Sequence, residues 1–111
     1  MDTEKFKMGW LVVCFDLPVM TDVERKRATG FRNFLLKDGF LMMQYSVYVR
    51  SCVTFARQQT HIRRVEDHAP PDGSIRAFFI TRAQWAKAYC IQGHPAKEHS
   101  PEGFPEQLLL W

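Results

Sequence analysis

The residue pattern predicts an α+β domain of element order β-α-β-β-α-β, and three observations carry it. Residues 10–15 and 74–81 are apolar, strand-length segments that end at turn or capping residues. Two stretches with apolar positions at helical spacing begin near Thr21 and Val53. Between them, residues 40–50 are rich in aromatic and β-branched side chains but are interrupted by Gln44-Tyr45-Ser46, which reads as two short strands meeting at a turn. A chain of 111 residues is one domain by size.

The first strand, Trp10-Leu-Val-Val-Cys-Phe15, runs into Asp16 and stops at Leu17-Pro18. Proline has no N–H for the ladder, so the strand ends there. A carboxylate at the end of an otherwise buried strand needs a cation, hydrogen bonds or water beside it, which makes Asp16 the first candidate for chemistry. The commoner fate of a lone strand-end Asp is to accept hydrogen bonds in the following turn.

Thr21-Asp-Val-Glu24 fits a capping box that opens a helix to about Asp38, with Gly39 suited to the left-handed position beyond it. Val23, Ala28, Phe31, Phe34 and Leu35 form its apolar stripe, which leaves Arg25, Lys26 and Arg32 on the outward side. Gly30 is unfavourable in a helix, and close approach of a neighbouring element is one reason for it. A second helix is expected over residues 53–68, with Phe55, Ile62, Val65 and Ala69 on one face, ended by Pro70-Pro-Asp-Gly73. The next strand is nearly all apolar apart from Arg76, which suggests burial on both faces or at a subunit interface. Thr81-Arg-Ala-Gln84 fits another capping box and opens a short helix.

This order is the ferredoxin-like split βαβ arrangement. Residues 93–105 have loop composition, and Glu106-Gln-Leu-Leu-Leu-Trp111 ends the chain with an apolar segment suited to a sheet edge of its own or a partner subunit. The division is therefore a ferredoxin-like domain over 1–92, then a linker and C-terminal strand at a dimer interface over 93–111.

Charge and cysteine usage narrow the function classes. Net charge is +3, with nine arginines against six lysines. No acidic residue lies between Asp38 and Glu66, where Arg50, Arg57, Arg63 and Arg64 fall, nor between Asp72 and Glu98, where Arg76, Arg82, Lys87 and Lys97 fall. Such acid-free stretches suit a positive surface for phosphate as well as an ordinary solvated face. The apolar runs fall far short of the roughly 18 residues of a membrane span, and the N-terminus has no signal-like apolar core. Three well-separated cysteines without CxxC fit reduced thiols, so the expected compartment is the cytoplasm.

Phe15-Asp-Leu-Pro18 after the first strand, Gln44-Tyr-Ser-Val-Tyr48 after the first helix, and residues 74–81 followed by Gln84 together resemble the CRISPR-associated endoribonuclease family, the small non-integrase protein of spacer acquisition. The resemblance covers about residues 9–92. No single block is specific; the ordered set is. It implies a homodimer whose late strands cross between sheets, with Asp16 as the metal-linked acidic position. It also places Ser46 at the family's polar position beside the site. The implied cofactor is Mg²⁺ or Mn²⁺. The implied partners are the CRISPR adaptation integrase, duplex prespacer DNA and single-stranded RNA.

One carboxylate per chain is thin for metal-dependent phosphodiester hydrolysis, and a two-fold axis that brings two Asp16 side chains together removes the difficulty. Arg25, Arg50, Arg57, Arg63, Arg64, Arg76 and Arg82 are the candidate nucleic-acid contacts. His61, His68 and Cys52, or Cys90, His94 and His99, lack zinc-site spacing and read as ordinary core or surface residues. Tyr45 and Tyr48 fall on opposite faces of a regular strand, so at least one belongs to a core or interface and the other is free to stack on a base. Two readings remain: a metal-dependent endonuclease acting at an Asp16 pair, and a structural dimer that holds duplex DNA for a separate integrase.

Overall fold

The structure, a computed structural model, describes residues 8–93. Strand β1, Gly9–Asp16, is central because both of its faces are apolar: Leu11, Val13 and Phe15 face one way, Trp10 and Val12 the other, and all five are buried. It pairs antiparallel with β3, Val47–Cys52, on one side and with β4, Ser74–Thr81, on the other. Strand β2, Leu41–Gln44, pairs with β3 through an irregular register between Met42 and Gln44, giving the sheet order β2-β3-β1-β4. This antiparallel sheet with its helices is the ferredoxin-like α+β fold that the sequence predicts.

Helix α1, Asp22–Lys37, opens with the expected capping box: the Glu24 N–H donates to Thr21 Oγ1 at 3.1 Å and the Thr21 N–H to Glu24 Oε1 at 3.0 Å. Its end is a Schellman turn. Gly39, at φ 93°, donates its N–H to the Leu36 carbonyl, and Phe40 donates to the Leu35 carbonyl. A Cβ at Gly39 would overlap the Arg50 guanidinium, which donates to the Asp38 carbonyl at 2.7 Å. Helix α2, Phe55–His68, is capped by Thr54, and α3, Arg82–Ala86, carries the capping box of Thr81 and Gln84.

Ala28, Phe31 and Leu35 of α1 and Val65 of α2 pack on Leu11, Val13, Phe15 and Tyr48. Each of the larger aliphatic and phenylalanine side chains contributes roughly 1.5–3 kcal/mol of burial. A second cluster of Trp10, Val12 and Val49, with Leu41, Met43, Val47, Ile80 and Trp85 against it, occupies the other face of the sheet. Neither α1 nor α2 contributes a residue to it.

Several expectations are corrected. Val23 is exposed, and the buried face of α2 is formed by His61 and Val65 while Phe55 and Ala69 lie outside it. A Cβ at Gly30 meets nothing within 4 Å, so no close neighbour explains that residue. Among the described residues β4 is an edge strand, not one buried on both faces, and Phe78 is 48% exposed. Cys14 and Cys52 are free thiols. Among the described residues no helix is long and apolar enough to cross a membrane. The C-terminal strand and His94 and His99 lie outside the described residues.

Candidate active site at the mouth of the first strand

Three chain segments converge where β1 ends. Asp16 pairs with Ser74, the first residue of β4. On the other side, the Phe15 N–H donates to the Ser46 carbonyl at 3.1 Å, so the Tyr45-Ser46 turn between β2 and β3 lies beside Asp16. Gly73, at φ 101°, lets the chain turn tightly into β4, since a Cβ there would stand 2.7 Å from the Asp16 carbonyl oxygen. The two residues predicted for catalysis, Asp16 and Ser46, are thus brought to one sheet rim.

Strand alternation places Asp16 on the face of Trp10 and Val12, away from α1 and α2. The residue is exposed, so water at the strand mouth removes the desolvation cost anticipated for a buried carboxylate. Arg76 pairs with Cys14 and shares that face, diagonally across the ladder from Asp16.

The donor chemistry fits a hard divalent cation. Asp16 presents carboxylate oxygens to solvent, and Ser46 is a neutral polar neighbour. Mg²⁺ is usually held by only one or two protein carboxylates, the remainder being water and substrate phosphate. Among the described residues no group of three or more His, Cys, Asp or Glu converges. His61 is a buried core residue, its ring 2.7 Å from Asp38 Oδ2, and His68 stacks on Phe34 at 3.9 Å. Burial raises the Cys52 thiol, more than the nearby Arg50 and Arg57 charges lower it, which keeps it protonated and poorly nucleophilic.

The predicted arginines do not form one surface. Arg57 and Arg63 are exposed on α2, in the helical layer. Arg76 and Arg82 are exposed on and just after β4, at opposite ends of that strand. Arg64 donates to Asp38 Oδ1 at 2.7 Å, and Arg50 braces the end of α1. Arg25 pairs with Asp22 and donates to the Val19 carbonyl at 3.0 Å, fastening the loop after Pro18.

Helical periodicity puts Arg32 on the outward side of α1, yet it folds over the sheet rim. Its Cζ lies 4.3 Å from the Tyr45 ring centroid and 5.5 Å from that of Phe15. The available signal was its position right after Phe31 on the buried stripe. Tyr48 is buried and stacks on Phe15, while Tyr45, in the turn outside either strand, is 70% exposed.

Comparison with known proteins closes the assignment. Residues 8–88 match the family model described as CRISPR associated protein Cas2. A Paracidovorax avenae protein named CRISPR-associated endoribonuclease Cas2 is 44% identical over 106 residues, covering 96% of each chain. Proteins of the same name from Flavobacterium psychrophilum and Parvibaculum lavamentivorans are 40% and 38% identical over 96% and 92% of this chain, and 91% and 99% of their own. With the fold, the strand-end Asp16 and the Gln44–Tyr48 block in their expected places, the chain belongs to the CRISPR-associated Cas2 family.

Proposed function

We propose that the chain acts in CRISPR adaptation as a homodimer that binds duplex DNA for the adaptation integrase, and that its Asp16 end carries a metal-dependent endonuclease site. The observation behind this reading is that Asp16 and the second apolar cluster share a sheet face to which α1 and α2 contribute nothing. A second copy stacked on Phe78, Ile80 and Trp85 would cover that cluster and draw two Asp16 carboxylates toward one axis. There the pair would hold Mg²⁺ or Mn²⁺, which supplies a Lewis acid and an activated water. Ser46 would orient the bound strand and Arg76 would offset phosphate charge. The relatives' name points to RNA as the cleaved substrate.

The second reading is a DNA-bridging dimer without physiological nuclease activity. It is favoured by the lack, among the described residues, of three converging His, Cys, Asp or Glu side chains and by the spread of the arginines over two sides of the domain. Both readings need the dimer, and both place the protein with the integrase in the cytoplasm.

The purified protein, mixed with a CRISPR adaptation integrase and a prespacer-like duplex, should form a ternary complex by size exclusion with light scattering. Phe78→Glu puts a charge on the shared face and should give a monomer that enters no complex. A Phe78→Glu protein that stays dimeric and assembles normally would remove this face from the interface.

Duplex binding should be mainly electrostatic, with log K falling against log salt by about 0.9 per phosphate contact. Arg57→Ala with Arg63→Ala should flatten that slope by one to two contacts, Arg64 being kept because it pairs with Asp38. An unchanged slope and affinity would place the footprint away from α2.

A further inference from the structure

We propose that Arg32 is a phosphate-binding residue of the site at the end of β1, held in position by Tyr45, and that its ligand is the backbone of a single RNA strand passing the sheet rim. This rests on the reading that the Asp16 end handles nucleic acid.

Arg32 is a cation without a counter-ion among the described residues. Arg32 is partly buried, with its guanidinium set against the rings of Tyr45 and Phe15, and its Nε is buried with no hydrogen-bond partner. No carboxylate pairs with it among the described residues, whereas Arg25 and Arg64 each have one. Its surroundings are aromatic: Phe15 stacks on Tyr48, and burial raises the Tyr48 phenol while the Arg32 charge pulls it down.

Ring contacts hold a guanidinium's plane but do not satisfy its N–H donors. A planar donor fork that is fixed, partly dehydrated and unpaired matches a phosphate, which accepts two parallel charge-assisted hydrogen bonds. Its place gives the phosphate a role. Phe15 precedes Asp16, Tyr45 precedes Ser46, and Phe15 and Ser46 are joined by a backbone hydrogen bond. Phe15 and Asp16 point to opposite faces of the sheet, so a strand that wraps the rim with one phosphate on Arg32 would carry a phosphodiester farther along it to Asp16. Tyr45 is then a positioning residue, because without its ring the guanidinium loses one of the two surfaces that orient it.

The test is binding of a fluorescein-labelled single-stranded RNA to the full-length protein in EDTA, followed by anisotropy across a salt series, with melting temperatures alongside. Arg32→Gln should weaken binding roughly ten- to hundredfold and flatten the salt slope by about 0.7, one single-strand contact. Arg32→Lys should recover part of the affinity and the full slope. Tyr45→Phe should bind like the parent, and Tyr45→Ala, an exposed change that leaves the core intact, should bind several-fold more weakly with the slope kept. Arg32→Gln binding within twofold of the parent at an unchanged slope overturns the proposal. So does a parent that binds no RNA, or a loss that follows the melting temperature and is not recovered by lysine. Cleavage in Mg²⁺ separates this from the nuclease reading. A parent that binds through Arg32 but never cuts sinks only the nuclease, and an Asp16-dependent cut indifferent to Arg32→Gln sinks only Arg32.

Discussion

Asp38→Ala is expected to lower stability by about 3–5 kcal/mol, a large share of the roughly 5–15 kcal/mol that holds a domain of this size together. Asp38 is the carboxylate on which the ends of α1 and the middle of α2 are tied. His61 Nδ1 lies 2.7 Å from Oδ2, Arg64 donates to Oδ1 at 2.7 Å, and Arg50 donates to the Asp38 carbonyl. Because a carboxylate only accepts, Nδ1 carries the hydrogen. Removing Asp38 leaves that buried donor unpaired, which is why truncation costs more than the pair contributes. The half-exposed Arg64 adds little to the loss, since water takes over its hydrogen bonds. Asp38→Asn, which keeps one acceptor oxygen, should cost less.

The same residue sets an acid limb. Burial by itself would raise the Asp38 carboxyl, but the hydrogen bonds and charges of His61 and Arg64 outweigh it and hold the carboxyl below its ordinary 3.8. A carboxyl with a depressed folded value stabilises fully above the unfolded value and loses that contribution as pH falls through the folded one. Urea midpoints of the parent should therefore drop below about pH 4 more steeply than those of Asp38→Asn. Equal midpoints at neutral pH for the parent and Asp38→Ala would remove this cluster from the list of main supports.

That cluster also explains what the sequence hid. Segment boundaries were legible because their signals are local: the two capping boxes, Gly39 at the end of α1, and the polar break at Gln44–Ser46 all act within a few residues. The placement of Asp16 and Ser46 at one sheet rim was legible because strand ends and turns follow from those boundaries. The arginines were not. An acid-free stretch of sequence is not acid-free in space, and Asp38 meets Arg64 from 26 positions away. Nor does period 3.6 decide where a long side chain ends. Arg32 starts at the border of the stripe and reaches back over Phe15, as a flexible stem with an aromatic surface in range does. The exposure of β4 had a similar cause, since an apolar strand reads alike whether its cover comes from its own chain or from a second copy.

Asp16→Asn is the change expected to separate catalysis from scaffolding. The substitution removes a charge with almost no change of shape at an exposed position, so the fold and the sheet face around it should persist. If two Asp16 carboxylates hold a divalent ion at the dimer axis, the amide pair keeps the outline and loses the affinity. Metal-dependent RNA cleavage should then fall roughly a hundredfold or more, with Mg²⁺ and with Mn²⁺ alike. The dimer should remain, and without metal it should melt at the same or a higher temperature, because two facing carboxylates repel. On the proposed reading duplex binding is carried by arginines elsewhere on the domain, so integrase assembly should proceed undiminished. Cleavage lost with bridging retained is the expected pair of results. Full cleavage by the Asp16→Asn protein would end the catalytic assignment, and loss of bridging by a well-folded mutant dimer would show that the acidic pair belongs to the scaffold as well.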